Sequence, residues 1–173
     1  MRLTVLLTLA ALAAAPAQAQ TSASPRDYQL RMLEHQRTFL LAMADSMPER
    51  LYRDRATAEQ RDFAQQIHHA ASAAAFIAST TMGGSKLALP DTAAAFKNRA
   101  GLRGFVNAAY DYAAALLRDQ PAAARAETVK LFGQSMQRWQ VWDEIHAHTV
   151  WTAGQVVANF RKHGMAPPAF TFF

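Results

Sequence analysis

The sequence predicts an all-α protein arranged as a four-helix bundle. Alanine and other good helix formers dominate long stretches. Apolar residues recur at helical spacing, and nothing reads as a strand of any length. Four helical segments are separated by connectors, which is the pattern of a bundle that builds its sites from side chains on facing helices. The chain has 173 residues, enough for one domain with a sizeable core.

Residues 1–19 stand apart from that domain. Arg2 precedes an apolar run from Leu3 to about Ala15, and Ala17-Gln18-Ala19 has the small-x-small form of a cleavage site. This is the layout of a secretory signal cleaved after about Ala19, leaving 20–173 as a periplasmic or secreted domain. The run is shorter than the roughly 20 residues a membrane span needs, so the mature chain is expected to have no span. There is no cysteine. That excludes a lipoprotein anchor, a disulfide framework, a thiolate metal site, a cysteine nucleophile and covalent haem attachment. Any metal must be held by His, Asp or Glu. The formal charge of +5 falls by one with Arg2, and the remaining cations are scattered. Such a balance serves solubility; no nucleic-acid partner is expected of an exported chain.

The first helix begins at Ser24-Pro25-Arg26-Asp27: a capping hydroxyl, a proline suited to the first turn, and an acid at the positive end of the dipole. Leu33, Gln36, Phe39/Leu40, Met43 and Met47 follow at spacings of three and four, and Pro48 ends it. Residues 49–56 connect. Thr57-Ala58-Glu59-Gln60 reads as a capping box opening a second helix that runs to about Thr81 and stops at Gly83-Gly84. Asp91 opens a short helical turn at 92–97. A third long helix carries Leu102, Phe105/Val106, Ala109, Tyr112/Ala113 and Leu116, and ends before Pro121. Residues 121–134 read as a connector. The last helix is expected from about Ser135 to His163, with Gly164 closing it and Pro167-Pro168 preventing a restart.

The histidines are the best ligands available for zinc, nickel or iron. His35 sits off the apolar stripe of the first helix and reads as a surface residue. His163 lies in the last turn of its helix, where a cation complements the dipole. His68 and His69 are adjacent, about 100° apart on a helix, and the stripe does not choose between them. On the last helix one face reads Trp142, Ile145, His148/Thr149, Thr152, Gln155/Val156 and Phe160. His148 lies on it; His146 points largely to the other side. A single inward histidine is more often a hydrogen-bonded core residue than a ligand, and the positions one turn beyond His148 are Trp151 and Thr152, neither a normal ligand for such a metal.

Two segments resemble a known family. "SMPERLYRDRATAEQRDFAQQIHHAASAAAF" (46–76) is similar to the first half of the DinB-like family, also called the DinB/YfiT-like metalloenzymes, through Met47, Pro48, Tyr52, Thr57, Arg61, Phe63, Gln65, His69 and Ala71. "HTVWTAGQVVANFRKHGMAPPAF" (148–170) resembles its closing segment through His148, Gly154, Gln155, Arg161, Gly164, Pro167 and Pro168. Ala56 stands where the family often has proline. The resemblance implies a four-helix bundle holding a divalent metal through three histidines, one on the second helix and two on the last. By position the ligands are His69 and His148, and the third falls on Thr152. A neutral hydroxyl is a poor ligand, so the resemblance implies a weakened site. His68, His146, Glu144 and Asp143 are the substitutes available.

Two functions follow as expectations. One is a metal-dependent hydrolase or thiol transferase, with one Zn, Ni or Fe at His69 and His148 activating a water or thiol. The other is a metal-free bundle that binds a small molecule or a protein. In it His69, His148 and Thr152 form a polar core, Gln155 orients, and Trp142 and Trp151 line a cleft. Monomer and homodimer are both compatible with the sequence. The leader makes its own prediction: the protein expressed with its native N-terminus is recovered outside the cytoplasm beginning at Gln20. N-terminal sequencing checks this, and a cytoplasmic product retaining the leader contradicts it.

Overall fold

Caps and buried loops decide where each helix begins in this protein. The computed structural model describes residues 24–83, 87 and 89–171; the expected signal peptide at 1–19 lies outside the described residues. Helix α1 (Pro25–Ser46) opens on a reciprocal cap: Ser24 Oγ accepts from the Asp27 amide at 3.1 Å, and Asp27 Oδ2 accepts from Ser24 N at 3.3 Å. Helix α2 (Phe63–Thr81) starts later than the Thr57 box predicts. Its cap is Asp62, whose Oδ1 accepts from Gln65 N at 2.8 Å while Gln65 Oε1 accepts from Asp62 N at 3.1 Å. The reason is a pinned loop. Tyr52 is buried, donates to the Ala44 carbonyl at 2.7 Å and stacks at a tilt on Phe63, ring centroids 5.2 Å apart. The amides of Phe63 and Ala64 then donate back to the Asp54 and Tyr52 carbonyls. Residues 57–60 form turns instead.

Helix α3 (Thr92–Lys97) is short and meets α4 (Arg99–Asp119) at Asn98, whose Oδ1 accepts from Gly101 N at 2.9 Å. Gly101 is required there by closeness: an added Cβ would lie 1.9 Å from the Ala94 carbonyl oxygen. The α4 stripe buries Tyr110 and Leu117, while Tyr112 and Leu116 are only half-buried.

The strand-free expectation needs correction. Strands β1 (Thr128–Leu131) and β2 (Gln134–Gln137) form an antiparallel hairpin with Thr128 opposite Gln137 and Leu131 opposite Gln134. Its two-residue turn takes Phe132 and Gly133 at φ 48° and 85°, both in the left-handed region that such turns use. The first strand falls in the expected connector and the second occupies the residues expected to begin the last helix, so α5 runs Arg138–Lys162. The far end of α5 matches expectation. Gly164 has φ 67°, its amide donates to the Arg161 carbonyl, and Met165 N donates to the Phe160 carbonyl.

The described residues are mostly helical and bundle-like: four long α-helices, one short α-helix and a hairpin. Pairs along the helices give their directions. Arg26 reaches the Gln120 carbonyl, Arg37 pairs with Asp111 and Arg103 with Asp45, so α1 and α4 run antiparallel. Phe63 meets Phe160, Gln66 meets Gln155 and His69 meets His148, so α2 and α5 run antiparallel. Gln29 bonds the Trp139 carbonyl near the start of both α1 and α5, which run the same way. Trp142, Phe63, Phe105, Phe160, Leu40 and Met43 fill the core between them. No described helix is long and apolar enough to cross a membrane.

Two substitutions separate the observed helix start from the expected one. Asp62→Ala removes a buried cap and the Arg53 partner at 3.1 Å, and it is expected to cost about 1–2 kcal/mol in urea denaturation. Thr57→Ala is expected to cost under about 0.5 kcal/mol, as an exposed turn substitution does. Equal losses at both positions contradict the observed start.

Candidate functional site

The antiparallel contact of α2 and α5 sets the site. Phe63 and Phe160 meet edge to face at its closed end, centroids 5.9 Å apart. One turn on, Gln66 Nε2 donates to Gln155 Oε1 at 2.7 Å. Next along the seam His69 and His148 face each other, ring centroids 5.1 Å apart and planes inclined 71°. Beyond them opens a cleft of about 460 Å³ walled by Ser72, Ala73, Phe76, Ile77 and Phe132. Its walls are nearly all apolar, so the imidazoles are its main polar groups.

Adjacent positions on α2 send two histidines to different places. His69 faces the cleft. His68 lies against Phe105 and Phe96, ring centroids 4.0 and 5.0 Å away, between α2 and the α3–α4 pair. Neighbouring side chains on a helix diverge by about 100°, and that alone separates them. On α5, His146 faces a cavity shared with α1, and Asp143 lies 3.5 Å from the Gln29 amide nitrogen. Glu144 is exposed. His68, His146 and Asp143 thus have other neighbours, and none of the four joins the His69–His148 pair in a three-ligand group among the described residues. Thr152 is buried at 1 % exposure, one turn past His148. Trp142 is buried in the core, its Nε1 donating to Gln120 Oε1 at 3.4 Å, and Trp151 is 73 % exposed. The apolar wall comes instead from α2 and the hairpin.

Fit to a metal is partial. Two facing imidazoles suit one ion, and His148 Nδ1 is buried with no hydrogen-bond partner among the described residues. No group of three or more His, Asp or Glu side chains placed to hold an ion occurs among the described residues. The chain offers two good donors and the Thr152 hydroxyl.

Charge near the pair is positive. Burial pushes the His69 and His148 pKa values below the ordinary histidine value, and the Arg61 guanidinium lowers both further. Both rings are thus biased toward the neutral form that can ligate. Arg61 also opposes a bare cation and favours an anion beside the rings.

Phe132 is the site residue missing from the sequence reading. It stands at the tip of the β1–β2 turn, 78 % exposed, in a conformation that bulky residues rarely adopt. Its ring forms part of the cleft wall. The signal available in the sequence was the Phe-Gly pair after the short alternating run Val129-Lys130-Leu131. No protein-family model matches the chain, and no curated protein matches it significantly.

Acid should destabilise the metal-free fold. His68, His69, His146 and His148 are all shifted down, burial being the first cause in each. A base with a lowered folded pKa leaves the unfolded chain binding more protons once pH falls below the ordinary value of about 6.5. Stability is therefore complete above that value, falls as pH drops through it, and levels off below the folded values. Thermal melts in chelator between pH 7.5 and 5 check this. A midpoint that holds or rises across that window contradicts it.

Proposed function

We propose that the mature chain is an exported, DinB-like helical bundle in which His69 and His148 hold one divalent ion, Zn, Ni or Fe, at reduced affinity. What supports this most is the facing ring pair, with its orphaned His148 Nδ1, at the head of an open cleft. Thr152 is the position where a third imidazole would stand, so solvent or a bound ligand completes the coordination. When bound, such an ion supplies Lewis-acid activation of a water or thiol. The reaction class is accordingly a metal-dependent hydrolysis or a thiol transfer. The chain's own residues hold the rest. Gln66 and Gln155 lock the register that brings the rings together. Arg61 favours an anionic group beside them. Phe76, Ile77 and Phe132 keep water from one side of a bound molecule.

A second reading has its own support. The cleft walls are apolar, and Phe76, Phe132 and Trp151 are exposed at 51, 78 and 73 %. A metal-free binding module, taking a small apolar molecule or a protein segment, uses the same surface.

Zinc titration of untagged protein separates the two. The first reading expects about one ion per chain, lost in His69→Ala and in His148→Ala, and bound at least tenfold more tightly by a correctly folded Thr152→His variant. Absence of binding in excess zinc, or single-histidine variants that bind as the parent does, overturns it. The second reading expects an apolar fluorophore to bind without metal and to be released by Phe132→Gly; unchanged binding in that variant counts against it.

A further inference from the structure

A second cavity lies between α1 and α5, on the side of α5 that carries His146. It measures about 220 Å³, and its walls include Gln36, Phe39, His146, Val150 and Phe170. Gln36 is 2 % exposed. Its carbonyl oxygen is used: Tyr110 Oη donates to Gln36 Oε1 at 3.3 Å and lies 3.2 Å from Thr149 Oγ1. Its amide nitrogen is not, because Gln36 Nε2 is buried with no acceptor among the described residues. His146 Nδ1 is likewise buried and without a partner among the described residues. Two unsatisfied nitrogens, on side chains from facing helices that line one small cavity, are costly unless something accepts from them. The other walls mix apolar faces, Phe39 from α1, Val150 from α5 and Phe170 from the segment after α5, with the polar groups of Tyr28, His35, Thr149 and Thr171.

We propose that this cavity is a binding site for a small organic molecule whose carbonyl oxygen accepts from Gln36 Nε2 and lies against His146, its apolar body held by Phe39, Val150 and Phe170. His146 contributes a second N–H in the tautomer that protonates Nδ1. A cavity of about 150 Å³ takes a benzene ring; the 220 Å³ here takes one ring with a carbonyl substituent. A neutral amide and a carboxylic acid both present that oxygen. The site is independent of the His69–His148 pair, which faces the opposite seam of α5.

Benzamide and benzoate are the probes, titrated into the full mature chain in chelator and followed by two-dimensional NMR. The proposal expects saturable shifts centred on Gln36, Phe39, His146 and Val150 with at least one probe. Benzamide alone identifies the neutral carbonyl and benzoate alone the acid, and either result supports the site. Gln36→Leu is expected to weaken binding about tenfold, the loss of one buried hydrogen bond. Val150→Trp, at the 40 % exposed rim, is expected to block binding by filling the cavity, and it decides the matter if Gln36→Leu does not fold. His69→Ala is expected to leave binding unchanged. No shift with either probe at 10 mM, undiminished binding in both cavity variants, or shifts centred on the His69–His148 cleft overturns the proposal.

Discussion

The seam between α2 and α5 is the constraint on which the rest of the structure depends. Three kinds of contact follow one another along it: an aromatic edge, a carboxamide pair and an imidazole pair. Their order matters physically. Phe63 and Phe160 bury apolar area and exclude water at the closed end. Gln66 and Gln155 then bond in a sheltered setting, where a mismatch would leave amide groups unsatisfied. A slip of one turn would break both, so the register is specified before the histidines meet. The imidazoles come next along the seam, where they line the cleft.

The same seam explains why α2 begins where it does. Phe63 is both its first residue and a core anchor, packed against Tyr52 and Phe160. Burying that ring fixes the preceding loop, and Asn159 and Lys162 of α5 tie the loop down through the Asp54 carbonyl and carboxylate. The His163 ring adds a 2.6 Å contact to the same carboxylate. Hydrogen bonds from Lys162 and His163 lower the Asp54 pKa from its ordinary value. The loop at the entry to α2 is thus held by the exit of α5, which ties the Phe63–Phe160 end of the seam together.

Most of the helical frame was legible because its signals are local. Ser24, Pro48, Gly164 and the apolar spacing of α1 each act within a turn or two of themselves. The misplaced start of α2 shows the limit. Thr57–Gln60 and Asp62–Gln65 both carry cap chemistry, and only the long-range burial of Tyr52 and Phe63 selects the second. The hairpin was missed because each strand has four residues and the turn puts Phe132, not Asn or Asp, at positive φ. For the site, spacing placed His148 on the inner face of its helix, yet it left His68 and His69 undecided. That choice is made by Phe105 and Phe96, which take up the His68 ring and belong to a distant part of the chain. The orphaned Gln36 nitrogen lay beyond reach altogether, since its state depends on Tyr110 and Thr149 arriving from two other helices.

Chemically, the molecule separates its histidines into distinct environments with one helix turn as the sorting device. His148 turns to α2 and His146 to α1, though only Ala147 lies between them. We propose that the α2–α5 register lets His69 and His148 share an ion that no third His, Asp or Glu among the described residues completes. Anomalous diffraction from a zinc-soaked crystal of the mature protein tests it most directly. The expected result is one peak within bonding distance of both rings, about 2.0–2.1 Å from a nitrogen of each, with the remaining coordination filled by solvent. A fully occupied zinc elsewhere with no peak between His69 and His148, or two rings turned away from each other in a well-ordered seam, would contradict it.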